Sequence, residues 1–179
     1  MPDTVFLNLL KTDKNQAFRH LMKEYQNRVL HIAFPFTGNS ADAEDITQEV
    51  FIKIFNNIEK FRGMSKLSTW IYRITVNTCK NFTMRTKKTV PLNCNIPAAL
   101  NISEDNGIRD VLHEAISRLP FNFKSVIILK DIEGKTRNEI SEILKCRPGT
   151  VDSRLFRARN LLKKKLKLVF RPEEIYAMQ

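Results

Sequence analysis

The sequence predicts an all-α protein of two small helical domains joined by a flexible linker. Apolar residues recur at three- and four-residue spacings along most of the chain, the period of a helix with one buried face. Helix starts and stops are marked by residues with a mechanism: Asn39 and Ser40, a Thr136–Glu139 pair, and Pro35, Gly38 and Pro120. Between these regions lies 89–107, TVPLNCNIPAALNISEDNG, with two prolines, four asparagines and no sustained period. At about twenty residues it is too long for a connection inside one compact helical domain. The expected division is 1–88 for the first domain, 89–107 for the linker, 108–170 for the second domain and 171–179 for a tail without a readable signal.

A chain of 179 residues is large enough for this arrangement. Its net charge of +11 favours an acidic partner, nucleic acid ahead of an anionic membrane. No apolar run approaches the roughly 20 residues needed to span a bilayer, and no basic-then-apolar leader opens the chain, so a cytoplasmic protein is expected. Cys79, Cys94 and Cys146 are odd in number and form no CxxC pair, and His20, His31 and His113 are scattered. Neither a disulfide framework nor a metal site is expected. With five glycines and no GxGxxG or GxxxxGK[ST], no nucleotide cradle or other cofactor site is legible. No paired carboxylates or Ser/His set suggests an enzyme or a small-molecule substrate.

In chain order, a short helix is expected over 4–11 and a turn over 12–15. A longer helix follows over 16–34, with Phe18, Leu21, Met22, Tyr25, Val29, Ile32 and Ala33 on its apolar face. Pro35 and Gly38 should end it. The next helix starts at Asn39 or Ser40, with Asp42, Glu44 and Asp45 in its first turn, where the helix dipole favours negative charge. Ile46, Val50, Phe51, Ile54, Phe55 and Ile58 form its buried stripe. Asp45, Gln48 and Glu49, at i, i+3 and i+4, share another face. Dipole matching with solvation accounts for that acidic patch, as does docking of a basic protein.

Residues 61–88 carry seven Lys and Arg and no carboxylate. Phe61, Arg62, Gly63, Met64 and Ser65 offer a ring, a guanidinium, a position free of Cβ and a small hydroxyl, which suits a pocket for an unpaired base. From Leu67 the period is helical, with Leu67, Ile71, Ile74, Thr78 and Phe82 inward. Arg73, Asn77, Asn81 and Arg85 form a second stripe of amides, which match base edges, and arginines, which neutralise phosphates. A solvated amphipathic helix would show the same pattern.

In the second domain Ile108, Val111, Leu112, Ala115 and Leu119 define one helix, ended by Pro120. Phe123, Val126, Ile127 and Leu129 belong to another that stops near Gly134. Thr136 and Glu139 form a capping box for a short helix with Ile140, Ile143 and Leu144 inward. A turn at 146–149 follows, and Thr150 is expected to cap the last helix, which buries Val151, Leu155, Ala158, Leu162 and Leu166. Short helix, tight turn and basic helix are the layout of a helix-turn-helix. From 147 to 167 eight Lys and Arg face one acid, Asp152. Ser153, Phe156 and Arg157 should reach a major groove, while Arg154, Arg159 and Lys163 to Lys165 could meet phosphates.

Three of these stretches, DAEDITQEVFIKIF, FRGMSKLSTWIYRITVNTCKNF and GTVDSRLFRARNLL, resemble region 2 and region 4 of the extracytoplasmic-function (ECF) sigma factors of bacteria, in the same order. The resemblance spans about 16–166. It implies a region 2-like bundle and a region 4-like helix-turn-helix, with core RNA polymerase and promoter DNA as partners and an anti-sigma factor as a usual third. By position, Asp45, Gln48 and Glu49 match the face that docks on the clamp helices of the largest polymerase subunit. Phe61, Arg62, Gly63, Met64 and Ser65 match the loop that captures a flipped minus-10 base, and Arg73, Asn77 and Asn81 match the helix that reads its edge. Trp70 would sit at the upstream edge of the opening duplex. The start of the last helix, with Thr150, Asp152, Ser153, Arg154, Phe156 and Arg157, matches the minus-35 reader, Arg154 and Arg159 being placed for backbone contact or helix packing. Asp152 departs from relatives that carry Lys or Arg there: either the minus-35 preference differs or Asp152 turns to pair with a neighbouring arginine. A cytoplasmic location, including retention at the inner membrane by an anti-sigma factor, is implied. A conventional helix-turn-helix regulator with an N-terminal interaction domain is the alternative reading.

Overall fold

The computed structural model describes residues 3–89 and 108–166, and every element among them is helical. All of the expected linker except Thr89, all of the expected tail and 167–170 lie outside the described residues. The chain divides into two compact units, one centred on α1 to α4 and the other on α5 to α8.

In the first unit, α1 (Asp3–Thr12) buries Phe6 and packs on α2 (Lys14–Thr37), which packs in turn on α3 (Ser40–Asn57). Asp13 caps α2 by accepting from the Gln16 N–H at 2.9 Å. The expected stop at Pro35 does not occur. Pro35 lies in the last turn, and the helix runs to Thr37, where Gly38, at φ 79°, donates its N–H to the Phe34 carbonyl. Burial of Pro35 and Phe36 holds that extra turn in place, and only Gly38 reverses the chain. Asn39 caps α3 through a 2.8 Å bond from the Asp42 N–H, and its own amide donates to Asp42 Oδ2 at 2.7 Å. Phe18 of α2 packs edge-on against Phe51 and Phe55 of α3, with centroids 6.2 and 5.0 Å apart.

A 3-10 turn, Ile58–Lys60, leads through a loop to α4 (Leu67–Thr89). More of α4 is buried than one stripe accounts for. Leu67, Ile71 and Thr78 are inward as expected and Ile74 and Phe82 are half-buried, but Tyr72, Thr75, Val76 and Cys79 are buried as well. Thr75 and Thr78 can sit there because each hydroxyl donates to the carbonyl four residues back, at 3.0 and 2.9 Å. Tyr72 meets Tyr25 edge-on, and Lys53 of α3 donates to Thr78 Oγ1 at 3.1 Å.

In the second unit, α5 (Ile108–Ser117) and α6 (Phe121–Ile127) both pack on α8 (Pro148–Leu166). Helix α6 passes into a π-helical turn, Ile128–Ile132, closed by the Glu133 N–H on the Ile128 carbonyl and ended at Gly134, φ 63°. Helix α7 (Arg137–Leu144) opens with the expected capping box in both directions. The Thr136 N–H donates to Glu139 Oε2 at 2.9 Å, and the Glu139 N–H to Thr136 Oγ1 at 3.3 Å. Ile140, Val151, Leu155, Ala158 and Leu162 are buried on the apolar faces of α7 and α8.

Candidate nucleic-acid interface

On α3, Asp45 and Gln48 are exposed and Glu49 is half-buried. Glu49 is not a free acid: its Oε1 lies 2.6 Å from Lys53 Nζ, one turn on. This face also carries Ile52, at i+3 from Glu49 and i+4 from Gln48, 60% exposed. The sequence reading passed over Ile52. The signal that could have found it is its angular position, since it falls off the buried stripe of Ile46, Val50 and Ile54 and onto the acidic one.

The loop between the 3-10 turn and α4 is braced by α1. Phe61 is 6% exposed, its ring 6.3 Å from that of Phe6 and 5.4 Å from that of Trp70. It is therefore the anchor of the loop and not the open stacking ring expected from its type; an aromatic beside a short loop gains more from the core than from solvent. Gly63 has φ 71°, and a Cβ there would come within 3.0 Å of Leu7 Cδ1. The Leu67 N–H, a free donor at the start of α4, is taken by Asp3 Oδ2 at 2.9 Å. Asp3, Phe6 and Leu7 were missed as loop supports because they stand some sixty residues away in sequence. What the brace leaves outward is Arg62, exposed, and Met64, 90% exposed, with Ser65 and Trp70 half-exposed. Along α4, Asn77, Asn81 and Arg85 are exposed in one row and Arg73 is half-buried.

The helix-turn-helix of the second unit has a tighter turn than expected. Lys145 takes a left-handed φ of 49°, and the Cys146 N–H reaches back to the Ser141 carbonyl at 3.1 Å, the closing bond of a Schellman turn. Pro148 is then the first residue of α8, a position suited to proline. Thr150 consequently does not cap α8 but lies inside its first turn, half-buried, its N–H on the Arg147 carbonyl at 2.9 Å.

Ser153, Phe156 and Arg157 point outward from α8, Phe156 being 69% exposed, while Arg154 is half-buried. The Ser153 hydroxyl donates to the Thr150 carbonyl at 3.1 Å. Asp152 pairs with an arginine, Arg137 at the start of α7, with Nη1 to Oδ2 at 3.1 Å. Arg159 is engaged by Asp131 at 2.6 Å, and that hydrogen bond, with the carboxylate charge, pushes its pKa up. In the lysine run Lys163 and Lys164 are exposed. Lys165 is half-buried, and burial together with Arg118 lowers its pKa. Arg147, Arg157, Lys163 and Lys164 are exposed cations on this surface, while Arg137 and Arg159 are already in ion pairs. Among the described residues no group of three or more His, Cys, Asp or Glu is placed to hold a metal ion.

Residues 21–89 match the sigma-70 region 2 family and residues 109–162 the sigma-70 region 4 family. Over 183 residues the chain is 34% identical to the ECF RNA polymerase sigma-E factor of Haemophilus influenzae, covering 93% of this chain and 96% of that protein. It is 30% identical over 189 residues to the sigma-E factor of Escherichia coli K12, covering 96% and 97%. It is also similar to the RNA polymerase sigma-H factor of Pseudomonas aeruginosa, 29% identical over 185 residues, covering 94% and 96%. In fold it is similar to the sigma factor RpoE of Bartonella quintana, solved with the anti-sigma factor NepR, with TM-score 0.69 and 22% identity over 84% of this chain and 96% of that one. CnrH, solved with the cytosolic domain of CnrY, gives TM-score 0.71 at 17% identity over 92% and 96%. With both sigma regions in order and relatives matched over nearly their whole length, the chain belongs to the ECF sigma factors and is an alternative sigma factor of bacterial transcription initiation.

Proposed function

We propose that the chain docks on core RNA polymerase through the Asp45, Gln48 and Glu49 face of α3 and selects promoters with two separate DNA-reading surfaces. One observation carries this division of labour: most of the residues it needs at a surface are exposed, Asp45 and Gln48 on α3, Arg62 and Met64 on the loop, Asn77 and Asn81 on α4, and Ser153, Phe156 and Arg157 on α8. In this reading the clamp helices of the largest subunit meet α3. Arg62, Gly63, Met64 and Ser65 receive an extruded minus-10 base, with Trp70 beside the duplex edge and Arg73, Asn77 and Asn81 along the strand. The first turns of α8 enter the major groove of the minus-35 element.

Opening then needs no nucleotide hydrolysis. Extruding a base costs a few kcal/mol, and a stacked, hydrogen-bonded base in a protein pocket recovers roughly 1 to 3 kcal/mol. Polymerase supplies the rest by holding both surfaces on one promoter, so that the second contact forms at high effective concentration once the first exists. An anti-sigma partner is part of the proposal, since the sigma factor RpoE of Bartonella quintana, of similar fold, was solved with one. So is a cytoplasmic location, which suits a polymerase subunit; among the described residues no helix is long and apolar enough to cross a membrane.

Run-off transcription with core polymerase and a randomised promoter library tests the reading. Initiation should depend on the added chain and enrich two motifs at a fixed separation. Sequence-specific binding to duplex DNA without polymerase, and no initiation with it, would support the conventional regulator instead.

A further inference from the structure

The structure assigns Asp152, steadied by Arg137, as a base-selecting residue that favours cytosine at one position of the minus-35 element. This rests on the proposal that α8 reads that element. Asp152 is the single acid between residues 147 and 167, against eight Lys and Arg. It lies one turn before Phe156 on the same side of α8, with its side chain 52% exposed. A bare carboxylate entering a groove bordered by phosphates is repelled. Arg137 removes that obstacle, because its Nη1 lies 3.1 Å from Asp152 Oδ2 and moves with α7, whose start is fixed by the Thr136–Glu139 box.

With Oδ2 on Arg137, Oδ1 is the oxygen available to a donor in the groove. Each base pair presents a different pattern of groups there. The cytosine N4 amino group donates to a carboxylate, whereas guanine offers only the acceptors N7 and O6, which a carboxylate repels. Asp152 therefore favours cytosine and disfavours guanine on the strand it faces. The neighbouring residues add different preferences: Phe156, 69% exposed, suits a thymine methyl, and Arg157 a guanine or a phosphate.

The test is in vitro initiation with core polymerase on a library randomised across the minus-35 element, with the parent chain, D152A, D152N and R137Q. The parent should show a cytosine preference at one position. D152A should reduce that preference about 5- to 100-fold and leave the other positions unchanged. D152N should move it toward adenine, whose N6 and N7 an amide matches. R137Q should lower initiation from the preferred promoter by exposing the carboxylate to phosphate. A D152A or D152N profile that superimposes on the parent's, or an R137Q chain that initiates better than the parent, overturns the assignment while leaving α8 as the minus-35 reader. A parent with no minus-35 preference at any position overturns that underlying reading itself.

Discussion

Two backbone positions with positive φ show how single residues shape the surfaces of this chain. Gly63 combines a φ of 71° with a Cβ position 3.0 Å from Leu7 Cδ1, so a side chain meets both backbone strain and a packed neighbour. Gly63→Ala should destabilise the first unit by about 1–2 kcal/mol in urea titration. It should also lower promoter opening, read by permanganate reactivity of unpaired thymines, more than it lowers polymerase binding. Lys145 has the opposite character. It holds φ 49° without being glycine, at the point where α7 must end and α8 begin. Lys145→Gly removes the Cβ strain at the cost of a more flexible unfolded chain, and should raise the stability of the helix-turn-helix by up to about 1 kcal/mol. A lower melting temperature for that variant would contradict the strain argument. At this scale the sequence was half legible. Gly63 stood out as a position free of Cβ, though as part of a base pocket and not for its backbone angle, and nothing in the composition of 141–149 marks Lys145 as the left-handed residue, because the glycine that usually fills this role stands four positions later, inside α8.

At the scale of elements, helix periodicity located α2, α3, α5 and α7 closely, and the Thr136–Glu139 box predicted a cap that forms in both directions. Long-range supports were not legible. At the start of helix α4 the Leu67 N–H donates to an acceptor far away in sequence. The acceptor comes from Asp3, on a helix that the period alone presents as a minor N-terminal element. Asp3→Ala should therefore cost about 1 kcal/mol of stability and fray the start of α4. Hydrogen exchange at Leu67 and Ser68 would report it, and unchanged protection there would show the cap to be dispensable. Phe61 was misjudged for the same reason, since its partner Phe6 is on that helix. For α3, replacing Gln48 by Ala and Glu49 by Lys removes an exposed amide and turns the Glu49–Lys53 pair into a repulsion on one face. The double variant should bind core polymerase at least tenfold more weakly while keeping its helical circular dichroism; ~1.4 kcal/mol suffices for that change. Undiminished co-purification with polymerase would remove α3 from the interface.

For the whole molecule the informative quantity is charge. The chain carries +11, and the described structure shows how part of that charge is already committed: Arg137 to Asp152, Arg159 to Asp131, Lys53 to Glu49 and Arg118 to Glu114. Counting basic residues in 147–167 therefore overstates the phosphate contacts that α8 can make, and Lys165, half-buried with a lowered pKa, is a further subtraction. Lys163 and Lys164 stay exposed about two turns beyond Phe156 and Arg157, so that if the first turns of α8 enter a major groove, as proposed, these lysines would follow the backbone and not the base edges. Each phosphate contact releases about 0.9 of a counterion from B-form DNA. Replacing both lysines by Gln should then reduce the slope of log affinity against log salt by about 2 for the polymerase-bound chain on promoter DNA. The loss of affinity should be the same on promoters that differ in the minus-35 sequence, because phosphates are present in every one. A changed sequence preference in this variant would mean that the lysines read bases, and an unchanged slope would mean that α8 leaves the duplex before its last turns.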